Sequence, residues 1–448
     1  MKVFHVPFCY YPDKVGGTEI YVQALCRDLN KIGVECVIVA PGDQSKSYQW
    51  EGVEVRRFAV SPGIGDLDEM YGPGDWLAAN EFDKILNDES PDLVHLHAHT
   101  RAISLNLVKK VKARNIPIVF TYHTPTVTCQ RGTMLRWGET ECDGLMEPFR
   151  CAECSLQGLG LNKRFAQVLA RTPKGIARLA AKFGLKGGIW TAIRSRDLIA
   201  LRQKTVRQLF ESVDHIVAVC QWVEKVLITN GVPAEKITLC RQELTQEISE
   251  PEQLGLIDPR LMENHDDGVM KLVFLGRLDP TKGVDIVIQA IGLIPDSKIV
   301  LDIYGVSQGE VGAVYESRLR NMAKGDPRIT FKPPIPSSEV IETLKQYNAL
   351  VVPSRWMETG PLVVLEAFAA GIPVIGSNLG GIRELVQEGF NGFLVPPNNV
   401  KCLIKTIKKI YELLKCKHNF AAIYLSKKDF YVSAIMCKLY ISFLGDKN

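Results

Sequence analysis

Short apolar runs and amphipathic stretches alternate along the first half of the chain. The run KVFHV at residues 2–6 precedes TEIYVQALCRDLNKIG, in which apolar residues recur at helical spacing until Gly33. VECVIVAP forms a second apolar run, and DLVHLHAH, IPIVFTYHTP and HIVAVCQWV continue the series further along. Buried strands separated by amphipathic helices are typical of a parallel sheet with helices on its faces. The first half therefore predicts an α/β domain.

The same alternation begins again after residue 268. MKLVFLGRL predicts a strand and GVDIVIQAIGLI a helix, and the rhythm continues through ALVVPSR, PLVVLEAFAAG and IPVIGSN. A polar, acidic segment at residues 242–268 is the predicted linker. Because 448 residues exceed the length of one ordinary core, we predict two Rossmann-like α/β domains, 1–241 and 269–410, that face each other across a cleft.

The end of the chain, residues 411–448, contains the apolar stretch FYVSAIMCKLYISFLG, which predicts a helix that packs back on the first domain. Apolar residues make up 46% of the chain and charged residues 23%, the usual balance of a soluble globular protein. Pro7 and Pro12 interrupt the first apolar run, which favours a buried strand over a signal peptide. No uncharged apolar stretch reaches the roughly 18–20 residues of a membrane span. We therefore expect a cytoplasmic protein whose twelve cysteines are mostly thiols or metal ligands.

Two glutamates flank the Gly-Pro dipeptide of the stretch ETGPLVVLE. The preceding strand is predicted to end near Arg355, so Glu358 lies in a loop at the carboxyl end of a parallel strand, where open α/β sheets bind ligands. The next helix, predicted from Pro361, presents free backbone amides that attract phosphate, and Gly360 lets the backbone approach it. Glu366, about one and a half turns into that helix, could accept hydrogen bonds from a diol. This order of groups matches the ribose, diphosphate and sugar of a nucleotide sugar. The alternative is that Glu358 is solvated and Glu366 pairs with a lysine.

Two cations bracket another strand-to-helix loop, in FLGRLDPTKGVDIVIQAI. Arg277 ends the predicted strand, and Lys282 follows just before Gly283 and a new helix. Such a pair can neutralise a diphosphate through charge-assisted hydrogen bonds. An exposed turn with two surface cations is the alternative. Because the glutamate pair follows in the same half of the chain, we favour a nucleotide-diphosphate site.

At these residues the chain resembles a known family. GRLDPTKG, then E-TGPLVVLEAFAAGIPVI, then GSNLGGIRELVQEGFNGFLVPP is similar to the retaining glycosyltransferases of family four, the glycosyl transferases group 1, which have the GT-B fold. The resemblance is strong over residues 271–397, good at 1–42 and 92–127, and poor over 155–212 and after 400. It therefore covers most of the chain.

The resemblance implies roles for residues of the second half. Arg277 and Lys282 correspond to the cations that bind the donor diphosphate. Glu366 corresponds to the acid that binds the ribose, and Glu358 to the acid that contacts the donor sugar. The backbone amides expected near the phosphates are those of Gly360, Leu362 and Val363.

In the first half, VGGTEIYV resembles the flexible Gly-Gly loop of the family, where Gly16 and Gly17 permit close approach to the donor or acceptor. A plain turn before a helix is the alternative. His123 in FTYHTP matches a histidine that contacts the donor sugar or the acceptor. His95 and His97 are expected to be packed or hydrogen-bonded within the fold.

The candidate catalytic residues are therefore His123, Arg277, Lys282 and Glu358. No Asp-x-Asp stands at a predicted strand end, so we expect no cofactor for catalysis. The resemblance implies a front-face reaction, and no protein nucleophile is assigned. The expected substrates are a nucleotide-diphosphate sugar and a glycan or lipid-linked acceptor of cell-surface polysaccharide or glycolipid synthesis. Two alternatives remain: a GT-B-fold UDP-sugar epimerase, and a non-catalytic binding protein on a decayed transferase fold.

Four cysteines cluster in a predicted Cys-rich loop, residues 129–154. They follow the spacing Cys-x12-Cys-x8-Cys-x2-Cys, and their thiolates could close a tetrahedral structural zinc site. Free or redox-active thiols, an iron–sulfur cluster and disulfides are the alternatives. The four residues are Cys129, Cys142, Cys151 and Cys154.

The segment 160–207 is predicted to be a basic helical insert. Residues 162–207 carry twelve Lys or Arg and one acid, Asp197, with apolar residues at roughly helical spacing. Basic amphipathic helices bind anionic membrane surfaces, which would suit a lipid-linked acceptor and a peripheral protein on the inner face of the cytoplasmic membrane. An ordinary insert with a solvated basic face is the alternative. No nucleic acid partner is expected, because no recognised binding motif accompanies the charge.

Overall fold

The computed structural model describes residues 1–13, 15–63, 66–173, 188–242, 268–295, 298–415 and 432–444. They form two compact units. The first contains the described residues up to Arg241 together with the C-terminal helix Val432–Leu444. The second contains the described residues from Gln242 to Lys415. Each unit is built around its own, mainly parallel sheet.

The first unit has an eight-stranded sheet and a separate two-stranded hairpin. Its strands are β1 Lys2–Val6, β2 Glu35–Gly42, β3 Lys46–Trp50, β4 Val53–Ala59, β5 Leu93–Leu96, β6 Ile118–Tyr122, β7 Leu135–Arg136, β8 Thr140–Glu141, β9 His215–Ala218 and β10 Ile237–Leu239. The order in the large sheet is β10, β9, β6, β5, β1, β2, β4, β3. The β3–β4 pair is antiparallel and the other pairs of this sheet are parallel. β7 and β8 form the hairpin.

Helices cover this sheet, as the apolar spacing predicts. They are α1 Gly17–Lys31, α2 Leu67–Tyr71, α3 Trp76–Glu89, α4 Leu105–Lys112, α5 Pro148–Gly158, α6 Lys163–Ala170, α7 Gly188–Ser212 and α8 Gln221–Thr229. α1 ends where the sequence predicts, because Gly33 adopts a φ of +84°, which suits glycine at a helix C-terminus. Its amide donates to the Asn30 carbonyl at 3.1 Å, and the Val34 amide donates to the Leu29 carbonyl at 3.1 Å.

The second unit has a six-stranded, wholly parallel sheet. Its strands are β11 Met270–Arg277, β12 Ile299–Val306, β13 Ile329–Lys332, β14 Ala349–Val352, β15 Val374–Ser377 and β16 Gly392–Val395. Its helices are α9 Val284–Gly292, α10 Gly309–Ala323, α11 Val340–Leu344, α12 Leu362–Ala369, α13 Gly380–Leu385 and α14 Val400–Lys415. The predicted end of this domain at residue 410 falls inside α14.

The strand order of the second unit reverses beside β11. The sheet runs β13, β12, β11, β14, β15, β16, so the chain proceeds from β11 in one direction and later returns to its other side. The loops that leave the carboxyl ends of β11 and β14 are therefore neighbours. In open α/β sheets, ligands bind outside such a reversal.

The C-terminal helix, α15 Val432–Leu444, completes the core of the first unit. Val432, Met436 and Tyr440 recur every four residues and are buried against residues of α1 such as Tyr21 and Leu25. This spacing places them on one face of the helix. Of the predicted tail, residues 432–444 thus pack within the first unit, whereas residues 411–415 belong to α14 of the second unit.

Several predicted segments differ from the structure or lie partly outside it. The linker, residues 242–268, is described only at Gln242 and Gly268. The basic insert forms α6 and α7, and residues 174–187 between them lie outside the described residues. None of the helices in the described part of the chain has the length and apolar character needed to cross a membrane.

Candidate functional site

The loop after β11 presents the first predicted cation. Arg277 is the last residue of β11 and is exposed. Within the described part of the chain its guanidinium has no hydrogen-bond or ion-pair partner. The loop continues as a 3₁₀ turn, Pro280–Lys282, capped by the Asp279 carboxylate, which accepts from the Thr281 amide at 2.8 Å. The protein therefore holds this loop in place but leaves the Arg277 side chain open to solvent.

The second predicted cation contacts the first predicted acid. Lys282 Nζ lies 2.7 Å from Glu358 Oε1, and the Ser354 hydroxyl donates to the same oxygen at 2.7 Å. Lys282 Nζ also lies 5.1 Å from the centre of the Trp356 ring. Glu358 is only 4% exposed, and a buried carboxylate needs such partners. The alternative of a solvated Glu358 is therefore wrong.

A second ion pair ties the two loops together. Arg355 donates to both carboxylate oxygens of Asp285 at 2.8 Å, and its amide donates to the Thr281 carbonyl at 2.6 Å. The Tyr315 hydroxyl also donates to Asp285, at 2.6 Å. Although burial opposes ionisation of Asp285, the hydrogen bonds from Arg355 and Tyr315 hold its pKa below the usual value. This bidentate pair keeps the β11 loop against the β14 loop.

Arg355 and Asp285 are not among the residues that the sequence predicts for the site. The sequence places Arg355 at the end of a strand and Asp285 within a helix. An acid in the first turn of α9 and an arginine just after β14 are the signals that could have suggested the pair, because β11 and β14 are adjacent.

Glu366 lies on α12 and is 9% exposed. Burial raises its pKa to about 7. Among the described residues its carboxylate has no hydrogen-bond or ion-pair partner, so the alternative pairing with a lysine does not occur there. A buried acid without a partner is costly in a protein that binds nothing. Its surroundings therefore favour a ligand that donates hydrogen bonds.

α12 begins one residue later than predicted. Pro361 has a ψ of 111°, which is extended, so it caps the helix and Leu362 is the first helical residue. Leu362 and Val363 are partly exposed, as is Gly360. Because the first amides of a helix have no intrahelical acceptors, the start of α12 can donate to an anion.

Two further glycines shape the loop that carries Glu358. The Gly381 amide donates to the Glu358 carbonyl at 2.6 Å, and a Cβ on Gly381 would lie 2.9 Å from that oxygen. Gly380 has a φ of +47° and faces the backbone of Met357. The Gly-Gly start of α13 thus lets this loop pack closely, a role that the sequence analysis did not assign.

In the first unit, the predicted Gly-Gly loop caps α1. Gly16 is the residue before the helix and Gly17 is its first residue. The Gly16 amide donates to Glu19 Oε2 at 2.9 Å. Glu19 is buried, and burial raises its pKa despite the hydrogen bond from Gly16. The loop therefore contains a buried acid that the sequence analysis overlooked.

His123, just beyond β6, belongs to a buried chain of imidazoles. His97 Nδ1 lies 3.1 Å from His123 Nε2, and His97 Nε2 lies 3.0 Å from His5 Nδ1. His123 is 4% exposed, and burial lowers its pKa to about 3 and that of His97 well below the usual value. His97 and His123 are therefore neutral at pH 7. Each shared hydrogen bond needs one N–H and one lone pair, so the tautomer of His97 sets that of His123.

His95 and His97 are held within the fold, as predicted. His95 Nε2 lies 2.6 Å from the Thr121 hydroxyl and His95 Nδ1 lies 2.6 Å from the Tyr440 hydroxyl of α15. Both histidines are buried.

The four predicted cysteine ligands line one cavity, but they are not at ligand distance. Among the described residues, groups of three whose ligand atoms lie within 4.8 Å of one another are His5 with Cys26 and Cys36, and His5 with His95 and His97. No such group includes the cysteines of residues 129–154. Two of these cysteines, Cys151 and Cys154, lie on α5 and not in a loop, because Pro148 begins a helix there.

Two protein families match the chain over most of its length. The family described as Glycosyl transferase 4-like domain matches residues 16–241, which is half of the chain. The family described as Glycosyl transferases group 1 matches residues 262–423. The chain belongs to the glycosyl transferase 4-like family. The sequence-based resemblance is thereby confirmed, and the epimerase alternative is not favoured.

A solved structure supports the fold of this glycosyl transferase. The Anabaena protein Alr3699/HepE in complex with UDP-glucose aligns over 100% of both chains with a TM-score of 0.63 and 15% sequence identity. At this identity the likeness concerns the fold alone. Together with the two parallel-sheet units, it confirms the predicted GT-B fold.

Curated relatives match over part of their length. A D-inositol 3-phosphate glycosyltransferase of Streptomyces bingchenggensis is 33% identical over 28% of this chain and 30% of its own. The amylovoran biosynthesis glycosyltransferase AmsK of Erwinia amylovora is 24% identical over 49% of this chain and 52% of its own. The chain thus spans about a third to a half of the length of these relatives.

Proposed function

We propose that the protein is a retaining glycosyltransferase that moves a sugar from a nucleotide-diphosphate sugar to a glycan or lipid-linked acceptor. The observation that carries the proposal lies at the strand-order reversal of the second unit. There an exposed Arg277, the Lys282–Glu358 pair and Glu366, which has no partner among the described residues, occupy the loops and helix that follow β11 and β14.

The diphosphate would be bound by cations and amides. Arg277 is open to solvent, and its guanidinium can donate two parallel hydrogen bonds to phosphate oxygens. The amides at the start of α12, including those of Leu362 and Val363, add donors and the helix dipole. Such groups stabilise negative charge as the nucleoside diphosphate leaves, which is where catalysis needs them.

Lys282 can serve the phosphate without leaving Glu358. An ammonium has three N–H donors, and the contact with Glu358 uses one of them. Glu358 would therefore orient Lys282 from one side and accept a hydroxyl of the donor sugar with its remaining lone pairs. The carboxylate is held by Ser354 as well, so its position is fixed before the donor binds.

The nucleoside end would be bound by Glu366. When ionised, its buried carboxylate accepts hydrogen bonds from the two hydroxyls of a ribose. Those hydroxyls would supply the partners that it lacks among the described residues. The family resemblance adds His123 of the first unit as a contact of the donor sugar or acceptor.

The reaction would proceed without a protein nucleophile. In the front-face reaction implied by the family, the leaving phosphate helps to take the proton of the acceptor hydroxyl, and the new bond forms on the face that the phosphate leaves. The residues of this chain would bind the leaving group and orient the sugar. The anomeric configuration of the product, read by NMR, tests retention directly.

Donor binding can be measured without knowing the acceptor. UDP-, GDP- and ADP-sugars should be compared by thermal shift, because a ligand that binds the folded state raises its Tm. We expect one class of donor to stabilise the wild-type protein and not Arg277→Ala. Lys345→Ala is the matched control, since Lys345 is an exposed cation on the same unit that pairs with Glu342. Equal stabilisation of wild type and Arg277→Ala would contradict the proposal.

A lipid-linked acceptor is supported by the surface of α6. Phe165 and Val168 are 65% and 66% exposed beside the basic residues Lys163 and Arg164. Exposed apolar side chains flanked by cations favour binding to an anionic bilayer. By contrast, the C-terminal half of α7 is buried in the first unit, so that part of the insert is an ordinary packed helix.

Sedimentation with liposomes tests this part of the proposal. We expect the protein to bind vesicles of anionic phospholipid and not neutral ones, and Phe165→Ser/Val168→Ser to abolish the binding. Ile228→Ser is a control, because Ile228 is also exposed on a helix of the same unit. Equal sedimentation with both vesicle types would contradict the proposed binding to anionic membranes. It would leave the proposal of donor binding unaffected.

A further inference from the structure

Four cysteines from three separate backbone segments line one cavity of the first unit. The cavity measures about 450 Å³, including the solvent at its mouth. The cysteines are Cys129, Cys142, Cys151 and Cys154. All four are partly buried. The remaining cysteines of the described residues do not line this cavity.

The local backbone holds each cysteine in place. Cys151 and Cys154 are three residues apart on α5, so they lie on the same face of the helix. The Cys129 amide donates to the Pro125 carbonyl at 2.8 Å, directly after the 3₁₀ turn that follows β6. Cys142 follows β8, and its amide donates to the Met134 carbonyl at 2.9 Å.

One of the four cysteine sulfur atoms accepts a hydrogen bond from the backbone. The Trp137 amide, in the turn between β7 and β8, donates to Cys154 Sγ at 3.2 Å. Trp137 and Gly138 have φ values of +58° and +80° in this turn. A backbone N–H that donates to sulfur satisfies the weak acceptor capacity of the sulfur atom. Backbone donors of this kind also orient metal ligands.

Cations around the cavity match the charge of a metal–thiolate group. Four thiolates and one Zn²⁺ carry a net charge of about −2. Arg131, Arg136 and Arg150 line the cavity. Within the described part of the chain, Arg136 Nε is buried and has no hydrogen-bond partner. Because Arg150 is paired with Asp143, the guanidinium groups of Arg131 and Arg136 are the ones that suit an anionic complex in this cavity.

We propose that Cys129, Cys142, Cys151 and Cys154 bind one structural Zn²⁺ ion. Zinc–sulfur bonds of about 2.3 Å in a tetrahedron require sulfur atoms about 3.8 Å apart. No three of these Sγ atoms lie within 4.8 Å of one another, so the ligands reach this geometry by rotation of their side chains around the cavity. Burial raises the pKa of both the Cys142 and the Cys151 thiol, and metal binding would release their protons.

The ion would fix the chain that follows His123. The Tyr122 hydroxyl lies 2.7 Å from the Thr128 hydroxyl, and Cys129 comes next. A zinc ion on Cys129 would thus join the end of β6 to α5 and the hairpin. The zinc proposal does not depend on the transfer reaction. The four cysteines lie in the first unit, and the experiment measures metal content, not activity.

The full-length chain, purified without chelators, tests the proposal by elemental analysis. We expect about one zinc ion per chain and near-complete loss of zinc in Cys151→Ser/Cys154→Ser. Cys402→Ser is the matched control, because Cys402 is a partly buried cysteine on α14 of the other unit. This variant should retain the metal. Replacement of zinc by Co²⁺ should produce the visible bands of tetrahedral cobalt and near-ultraviolet sulfur-to-metal charge transfer.

The cobalt spectrum of the wild-type chain decides the question even if the double variant does not fold. Less than about half an equivalent of zinc together with no tetrahedral cobalt spectrum would overturn the proposal. Disulfides among these cysteines, detected by mass spectrometry of the unreduced protein, would also overturn it, as would iron in place of zinc.

Discussion

Lys282 Nζ and Glu358 Oε1 lie 2.7 Å apart, although the two residues come from different loops of the second unit. The sequence assigned them to different parts of a donor, and the structure makes them partners. The ammonium of Lys282 has three N–H donors, so it can contact a substrate while it holds Glu358. Their contact is also the feature of the site that is easiest to test.

Lys282→Ala should leave Glu358 buried with the Ser354 hydroxyl and without its cation. We expect a loss of about 2 kcal/mol in the free energy of unfolding, because a hydrogen bond to a charged group is removed. Urea denaturation measures this change. Lys282→Ala/Glu358→Gln should recover part of the loss, since a neutral amide then replaces the buried carboxylate. An unchanged stability of Lys282→Ala would contradict the buried pair.

Arg277→Ala should reduce turnover without changing the fold. Arg277 is exposed and has no partner within the described residues, so its removal should leave the Tm unaltered. We expect kcat to fall by about 100-fold, as for the loss of one donor to a developing negative charge. Initial rates with saturating donor measure this effect. Normal transfer by the variant would refute the role of Arg277.

Glu366 should make the free energy of unfolding decrease as the pH rises. Its pKa is about 7 in the folded protein and 4.5 as the reference value. Between these values the folded state binds more protons than the unfolded state. The contribution of Glu366 to the free energy of unfolding therefore decreases as the pH rises from 4.5 to about 7. Glu366→Gln should remove this part of the pH dependence. Chemical denaturation of both proteins across that interval measures the difference.

Donor affinity should change with pH in the opposite direction. The ionised form of Glu366 is the acceptor for ribose hydroxyls, so binding should strengthen as the pH rises through about 7. Calorimetric titration with the donor between pH 6 and 8 tests this expectation. A pH-independent affinity in the wild-type protein would contradict the proposed contact.

His97→Phe should destabilise the first unit. The substitution keeps an aromatic ring but removes the partners of His123 and His5 in the imidazole chain. We expect a loss of about 1–3 kcal/mol, because buried nitrogen atoms are left without hydrogen bonds. His215→Phe is the comparison, since His215 is hydrogen-bonded to Thr238 and is only partly buried. Equal losses of unfolding free energy in both variants would argue against the hydrogen-bonded chain of imidazoles.

The sequence predicted those parts of the fold that depend on local spacing. The strands and helices after residue 268 follow from short apolar runs and helical periodicity, and Gly33 ends α1 because glycine tolerates its positive φ. The positions of Arg277, Lys282, Glu358 and Glu366 on strand ends and a helix start could be predicted for the same reason.

Contacts between distant segments could not be predicted. Arg355 and Asp285 are 70 residues apart, and their pairing depends on β11 and β14 being adjacent in the sheet. The strand order is a property of the whole domain, so the positions of the acid at a helix start and of the arginine after a strand suggest the pair only once that order is known. The helical start of α5 at Pro148 is a different case, because the cap by Glu147 and the Pro at the first position are visible in the sequence.

The hydrogen bond between His95 Nδ1 and the Tyr440 hydroxyl joins residues that are 345 positions apart in the chain. During synthesis, the ribosome must translate the entire second unit before α15 can emerge and cover α1. Until then the nascent first unit exposes the apolar surface that Val432, Met436 and Tyr440 later bury. Chaperone engagement with the growing polypeptide should therefore persist until translation of α15 is finished.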